Sequence, residues 1–144
     1  NYYKTEKRKS LMKISFEDFK YLVLTIFGEA RGEIHDGQLA VAMVILNRAK
    51  KRNCSIKDVV LAPYQFSCWN ANDPNFKLIS NPLFDLNTST VRDIIDVCVA
   101  ALEKTIDPTK GATHYCTITT DPYWAVGKTP CYTAGKHKFY NDVA

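Results

Sequence analysis

The 144-residue sequence predicts an α+β fold, a mostly helical core followed by a small irregular β region, and three observations carry that reading. Ser15-Phe16-Glu17-Asp18 is a capping box that opens an amphipathic stripe. Leu39 to Leu46 is apolar without interruption. After Gly111 the pattern changes to alternating β-branched and aromatic residues. The length is that of one domain, enough to bury a core without disulfide support. At 46% hydrophobic and 24% charged residues, the composition excludes disordered and fibrous classes. The longest apolar run, residues 39–46, falls far short of the roughly 20 residues a spanning helix needs, so no membrane insertion is expected.

Residues 1–14 are polar and basic, with Lys4, Lys7, Arg8, Lys9 and Lys13, and are expected to be a mobile arm or linker ahead of a single domain at 15–144. They lack the apolar core of a secretory signal, so no signal peptide is expected in this chain. The first helix starts at an N-cap Ser15 with Asp18 at the third position and Ile14 and Phe19 as hydrophobic staple. Phe19, Leu22, Val23 and Ile26 form its buried stripe, which stops at Gly28 and delivers Glu29 at the C-terminal end. Asp36 is the expected N-cap of a second helix from Gly37 to about Lys51, apolar all round and therefore central. Its cationic end, Arg48 to Arg52, complements the helix dipole.

Ser55-Ile56-Lys57-Asp58 is a second capping box, opening a short helix that ends before Pro63. Tyr64 to Leu86, rich in Pro, Asn and Asp, reads as a loop anchored by Tyr64, Phe66, Trp69, Phe76 and Phe84. Thr90 to Thr105 is a third long helix, with Val91, Ile94, Ile95, Cys98, Val99 and Leu102 on one face. Thr113 to Thr119 reads as a strand, Asp121-Pro122 as a turn and Lys136 to Tyr140 as a further short strand.

A net charge of +4 attracts polyanions, whether nucleic acid, an acidic membrane surface or an anionic cell wall, and composition does not choose among them. The chain carries no recognised nucleic-acid motif, and no nucleic-acid partner is expected. Cys54, Cys68, Cys98, Cys116 and Cys131 form no C-x-x-C pair and no metal spacing with His35, His114 or His137, so neither a metal site nor a cofactor is expected. The odd count leaves at least one thiol free. Cys98 falls on a core stripe, and the other four are able to form one or two bridges outside the cytosol, with connectivity open.

Chemistry concentrates at Gly28-Glu29-Ala30-Arg31-Gly32-Glu33. A carboxyl held against a low-dielectric wall at the end of an apolar helix favours its protonated form, which is what a general acid requires. Glu29 is the residue so placed. The local alternative is two solvated carboxylates, Glu29 and Glu33, with Arg31 as counter-charge.

The motif from Gly28 to Glu33, followed by Gly37-Gln38, Val41-Ala42 and Ile45-Leu46-Asn47-Arg48, resembles the opening of the spore-cortex-lytic (SleB-type) cell-wall hydrolases. Tyr64-Gln65-Phe66-Ser67-Cys68-Trp69 is similar to that family's Q-F-S loop, Gly111-Ala112-Thr113-His114-Tyr115 to its G-A-x-[HY]-[FY] strand, and Gly135-Lys136-His137-Lys138-Phe139-Tyr140 to its closing G-x-H-x-F-Y. The resemblance spans about residues 16–141, with the motifs in order. It implies a lysozyme-like α+β catalytic domain acting on the glycan strands of bacterial peptidoglycan, usually as a lytic transglycosylase, with Glu29 as catalytic acid. A cell-wall location follows, extracytoplasmic or phage-delivered, and a monomer is expected.

On this resemblance Glu33 is a candidate second carboxylate, although Gly32 argues against a continued helix and a bracing role, by accepting hydrogen bonds or pairing with Arg31, is the simpler expectation. Gln65 and Ser67 are suited to orienting an N-acetyl group or steadying positive charge. Tyr115 is expected beside Glu29, and since His114 alternates with it, only one of the two faces the cleft. Trp69, Tyr123 and Trp124 are candidate sugar-stacking residues, and His137 a binding residue or structural hydrogen-bonder. Three other readings stand beside this one: muramidase-type hydrolysis with a second carboxylate, a cysteine amidase or endopeptidase using Cys116 or Cys131 with His114 or His137, and a non-catalytic wall-binding virion component.

Overall fold

The computed structural model describes residues 14–144, so all of the expected N-terminal arm except Ile14 lies outside the described residues. Helix α1, Phe16–Ala30, is capped as its sequence predicts, Asp18 donating its backbone N–H to Ser15 Oγ at 3.0 Å. Leu22, Val23 and Ile26 are buried along its inner stripe. The helix does not stop at Gly28 but continues to Ala30, the glycine lying in its last turn under the chain at Cys68.

Helix α2, His35–Arg52, starts two residues earlier than the sequence suggests. Ile34 occupies the N-cap position without a side-chain cap, and Asp36 lies in the first turn, where its charge meets the positive end of the helix dipole. Every residue from Gly37 to Ile45 is buried, so α2 is the axis of the core. It ends on Asn53 in the left-handed region at φ 50°. Ser55 caps the short α3, Ile56–Leu61, accepting from the Asp58 N–H at 3.0 Å.

The stretch 64–86 is not a plain loop. It contains a 3-10 turn at Ser67–Trp69 and a helix α4, Pro74–Ile79, whose N-cap Asp73 accepts from the Asn75 N–H. Asp-Pro is a helix-start signal because proline at the first position forfeits no hydrogen bond. Phe66 is buried, Trp69 and Phe84 pack against the core, and Tyr64 is exposed. Helix α5, Ser89–Glu103, begins at the N-cap Thr88 and buries Val91, Ile94, Val97, Cys98 and Ala101. All five cysteines are free thiols.

Three short strands close the chain: β1, His114–Thr117, β2, Tyr132–Ala134, and β3, His137–Tyr140. Their order is β1-β3-β2, both pairings antiparallel, and β2 is a strand the sequence reading did not anticipate. Pairing of Tyr115 with Phe139 and of Phe139 with Tyr132 puts those rings, and His137, on one face. Tyr115, Tyr132 and Phe139 belong there to the main core, against the helices. Cys116 and Tyr140 point the other way and join Trp124, Ala125 and Val143 in a second, smaller cluster. No helix among the described residues is long and apolar enough to cross a membrane.

Candidate active site

Glu29 sits in the last turn of α1, where two other segments converge on it. The first is the 64–69 loop. A Cβ placed on Gly28 would stand 2.6 Å from Cys68 Cβ and 2.9 Å from its Sγ, so only glycine lets the chain approach this closely. The approach brings the Cys68 N–H to Glu29 Oε1 at 3.2 Å. One turn back, Trp69 Nε1 donates to Thr25 Oγ1 at 2.9 Å, and Thr25 Oγ1 donates to the Tyr21 carbonyl at 2.6 Å. The Trp69 ring also packs on Tyr21 with centroids 5.3 Å apart. Burial, followed by the charge of Glu29, pushes the Cys68 thiol well up, so it stays protonated beside the carboxylate.

The second segment is β1. Tyr115 lies on its helix-facing side, stacked on Phe139 at 5.7 Å and meeting the edge of His137 at 5.3 Å. Burial first, then the Glu29 charge, holds the Tyr115 phenol well above its ordinary range. The Tyr115 phenol therefore keeps its proton on the side of the sheet that faces the helices. His114 takes the opposite face, as alternation requires, 5.1 Å from the Trp124 ring and with Nδ1 at 3.0 Å from Thr113 Oγ1. Burial, reinforced by Arg48, Arg52 and Lys51, lowers its pKa to about 4. Trp124 packs on Tyr140, and Tyr123 beside it is almost fully exposed. The candidate sugar-binding residues thus divide: Gln65, Ser67, Trp69, Tyr115 and His137 lie on elements facing Glu29's side of the sheet, while His114 and Trp124 lie across the sheet from them.

Arg48 holds the two segments in place, a role beyond the dipole-complementing cationic helix end that the sequence suggests. It is buried, donates Nε to the Thr113 carbonyl at 2.5 Å and Nη1 to Gln65 Oε1 at 3.2 Å, and lies over the Phe66 ring at 5.2 Å. Burial lowers its pKa to about 10, so it remains charged at neutral pH. The missed signal is its position: Arg48 is four residues after Val44 and seven after Val41, on the inner stripe. Its neighbour Asn47 donates to the Ala112 carbonyl at 2.9 Å and to Asp107 Oδ2 at 2.8 Å, which fixes the chain leading into β1.

Glu33 does not pair with Arg31. The turn after α1 sends its carboxylate to His137 Nδ1, while Arg31 donates to Asn75 Oδ1 at 2.7 Å and lies over Phe27. Neither candidate thiol meets a histidine base: Cys131 Sγ contacts the Thr109 carbonyl at 3.2 Å, and Cys116 Sγ the Thr120 carbonyl at 3.8 Å. Among the described residues no three His, Cys, Asp or Glu side chains gather as a metal site would need.

A cell wall hydrolase family model matches residues 32–140, beginning three residues after Glu29. The spore cortex-lytic enzyme of Bacillus subtilis is 28% identical over 129 residues, and that of Halalkalibacterium halodurans 29% over 130. These alignments cover 87% and 88% of this chain but 38% and 36% of those proteins, so the chain spans well under half the length of the curated relatives it matches. The crystal structure of the catalytic domain of the Bacillus cereus SleB protein aligns with a TM-score of 0.67 at 26% identity, covering 88% of this chain and 91% of that one. With most of its length under the family model and the lysozyme-like α+β architecture of its structural neighbour, this chain belongs to the cell wall hydrolase family.

Proposed function

We propose that this domain cleaves the glycan strands of bacterial peptidoglycan between N-acetylmuramic acid and N-acetylglucosamine, as a lytic transglycosylase with Glu29 as general acid and base. One observation carries the choice of mechanism. Glu29 accepts the Cys68 N–H where helix, loop and strand converge, with the Tyr115 phenol on the helix-facing side of the sheet, whereas the next carboxylate along the chain, Glu33, is committed to His137. A one-carboxylate mechanism fits that arrangement. Glu29 protonates the glycosidic oxygen, and the resulting carboxylate takes the proton of the muramyl O6 hydroxyl as that oxygen closes on C1, leaving a 1,6-anhydro end. Hydrolysis would ask for a second free carboxylate, about 5 to 5.5 Å away to attack C1 or further off to activate water. A cysteine amidase would ask for a thiol beside a base, and the contacts of Cys116 and Cys131 are carbonyls.

The reading places the enzyme at the cell wall as a monomer, without a cofactor. Mass spectrometry of products released from purified peptidoglycan tests it. Muropeptides ending in 1,6-anhydro-muramic acid with the wild-type domain, and none with Glu29→Gln, are expected. Reducing ends would replace the transglycosylase by a muramidase, and unchanged release by Glu29→Gln would refute Glu29 as the acid.

A further inference from the structure

The Glu33–His137 contact is costly to build and is separate from the Cys68 N–H bond that Glu29 accepts. The two side chains keep only 11% and 14% of their surface in water. Pairing charged or polar groups at that depth carries a desolvation penalty that the contact itself barely offsets, and an apolar pair of the same volume is commonly as stable. Space is nevertheless kept open for it. A Cβ placed on Gly135, which adopts φ +56°, would stand 2.9 Å from Glu33 Oε2, and one on Gly37 would stand 3.3 Å from Glu33 Cβ. Two glycines from separate elements therefore shape a socket for this carboxylate. The turn carrying it is fixed by the Glu33 N–H donating to the Ala30 carbonyl at 3.0 Å.

What the socket holds still is the imidazole. His137 presents to Tyr115 at 83° between ring planes, and the other support of Tyr115 is Phe139, stacked at 28°. A tyrosine gripped by one ring edge-on and another face-on has its phenol oxygen fixed in direction, and the Glu29 charge is near enough to act on that phenol. We propose that Glu33 and His137 are positioning residues, a pair that fixes the Tyr115 phenol beside Glu29, and that Glu33 is not a second catalytic carboxylate. The proposal rests on the reading of Glu29 as the acid and base. It assigns to the second glutamate of the Gly28–Glu33 motif a task carried out through two intervening side chains.

The test compares Glu33→Gln, His137→Asn, the double variant, Tyr115→Phe and the apolar pair Glu33→Leu with His137→Leu, on soluble glycan chains of defined length. Glu29→Gln serves as reference, and melting is followed throughout. Each single change should lower kcat roughly 10- to 100-fold at nearly constant KM, the loss that misplacing a group by about 1 Å brings. The double variant should be no worse than the worse single one, and Glu33→Gln should add little to Tyr115→Phe, because all act through one phenol. Products should keep their 1,6-anhydro ends. The leucine pair should restore melting without restoring kcat.

Restoration of both by the leucine pair would reduce Glu33 and His137 to a structural filling and overturn the proposal. So would wild-type kcat in the single variants. Loss of all activity in Glu33→Gln while His137→Asn stays near wild type would place Glu33 on the substrate instead. Activity in Glu29→Gln refutes the underlying reading, whereas an inactive Glu29→Gln beside a fully active Glu33→Gln refutes this proposal alone.

Discussion

Replacing Gly28 by alanine sets two effects of known size against each other. Within a helix, alanine is favoured over glycine by roughly 1 kcal/mol. Here the added methyl would lie 2.6 Å from Cys68 Cβ and 2.9 Å from Cys68 Sγ, with Ile79 Cδ1 at 3.5 Å behind. Overpacking of this kind costs about 1–3 kcal/mol once neighbours have shifted. The net effect is a loss of about 0–2 kcal/mol, and a domain of this length loses about 3–5 °C in Tm per kcal/mol. The larger consequence is for turnover. Relief of the clash moves the 67–69 turn away from α1, and with it the Cys68 N–H that Glu29 accepts. Without that bond the Glu29 side chain loses its backbone anchor, and misplacing a reacting group by about 1 Å costs up to roughly 100-fold, so kcat should fall by roughly tenfold or more. Clearance of a suspension of purified peptidoglycan measures the rate, and scanning calorimetry the stability. Cys68→Ala should not relieve the Gly28→Ala variant, since Cβ is the nearest atom, whereas Cys68→Gly should recover much of the lost Tm. A Gly28→Ala domain that melts higher by the full propensity gain and clears at the wild-type rate would refute the argument that this glycine sets the distance between loop and helix.

Two further outcomes can be checked by urea unfolding. Arg48→Met keeps the aliphatic stem but strands the Thr113 carbonyl and Gln65 Oε1, and should lower stability by about 2–4 kcal/mol, with Arg48→Lys recovering only part because it lacks the planar fork; a loss below about 0.5 kcal/mol would remove Arg48 from its role as clamp. For His114, whose pKa folding lowers from 6.5 to about 4, the unfolded chain takes up the proton first, so its contribution is complete above pH 6.5 and declines as pH falls to about 4. His114→Gln should therefore lose less stability than wild type between pH 7 and pH 4.5, and equal losses would show that His114 is not buried in the neutral form.

Local chemistry made much of the fold legible. Ser15 and Ser55 cap helices because their hydroxyls need only the N–H three residues on, a relation contained within four residues of sequence. The stripes of α1 and α5 were readable because one periodicity runs through each. Where sequence reading erred, a distant partner or a weak local signal decided. Gly28 reads as a stop, yet Cys68, 40 positions later, packs onto it and keeps it within the helix. Asp36 has the chemistry of an N-cap, but α2 begins before it, on an Ile34 that caps nothing. Strand β2 is three residues long and defined by its pairing with β3, so it leaves little periodicity to find.

The site divides along the same line. Alternation along a strand was enough to say that Tyr115 and His114 face opposite ways. The partner of Glu33 was not legible, because Arg31 is two residues away and His137 is 104, and a counter-charge close in sequence looks like the economical choice. Geometry favours the distant one. Arg31 follows the last turn of α1 and reaches back along it, donating to the Phe27 carbonyl at 3.2 Å and crossing to Asn75, while the turn carries Glu33 round towards the β2–β3 hairpin. Arg48 was hidden for the opposite reason, since a run of cations at a helix end already had a sufficient electrostatic account. That account holds for Lys50, Lys51 and Arg52, which are exposed, and fails for the one member of the run that the helical repeat turns inward. A charged residue on an apolar stripe has to meet its hydrogen bonds inside the fold. Here those bonds join the two segments that converge on Glu29, so the residue least suited to the core by its charge is the one that links the loop to the strand.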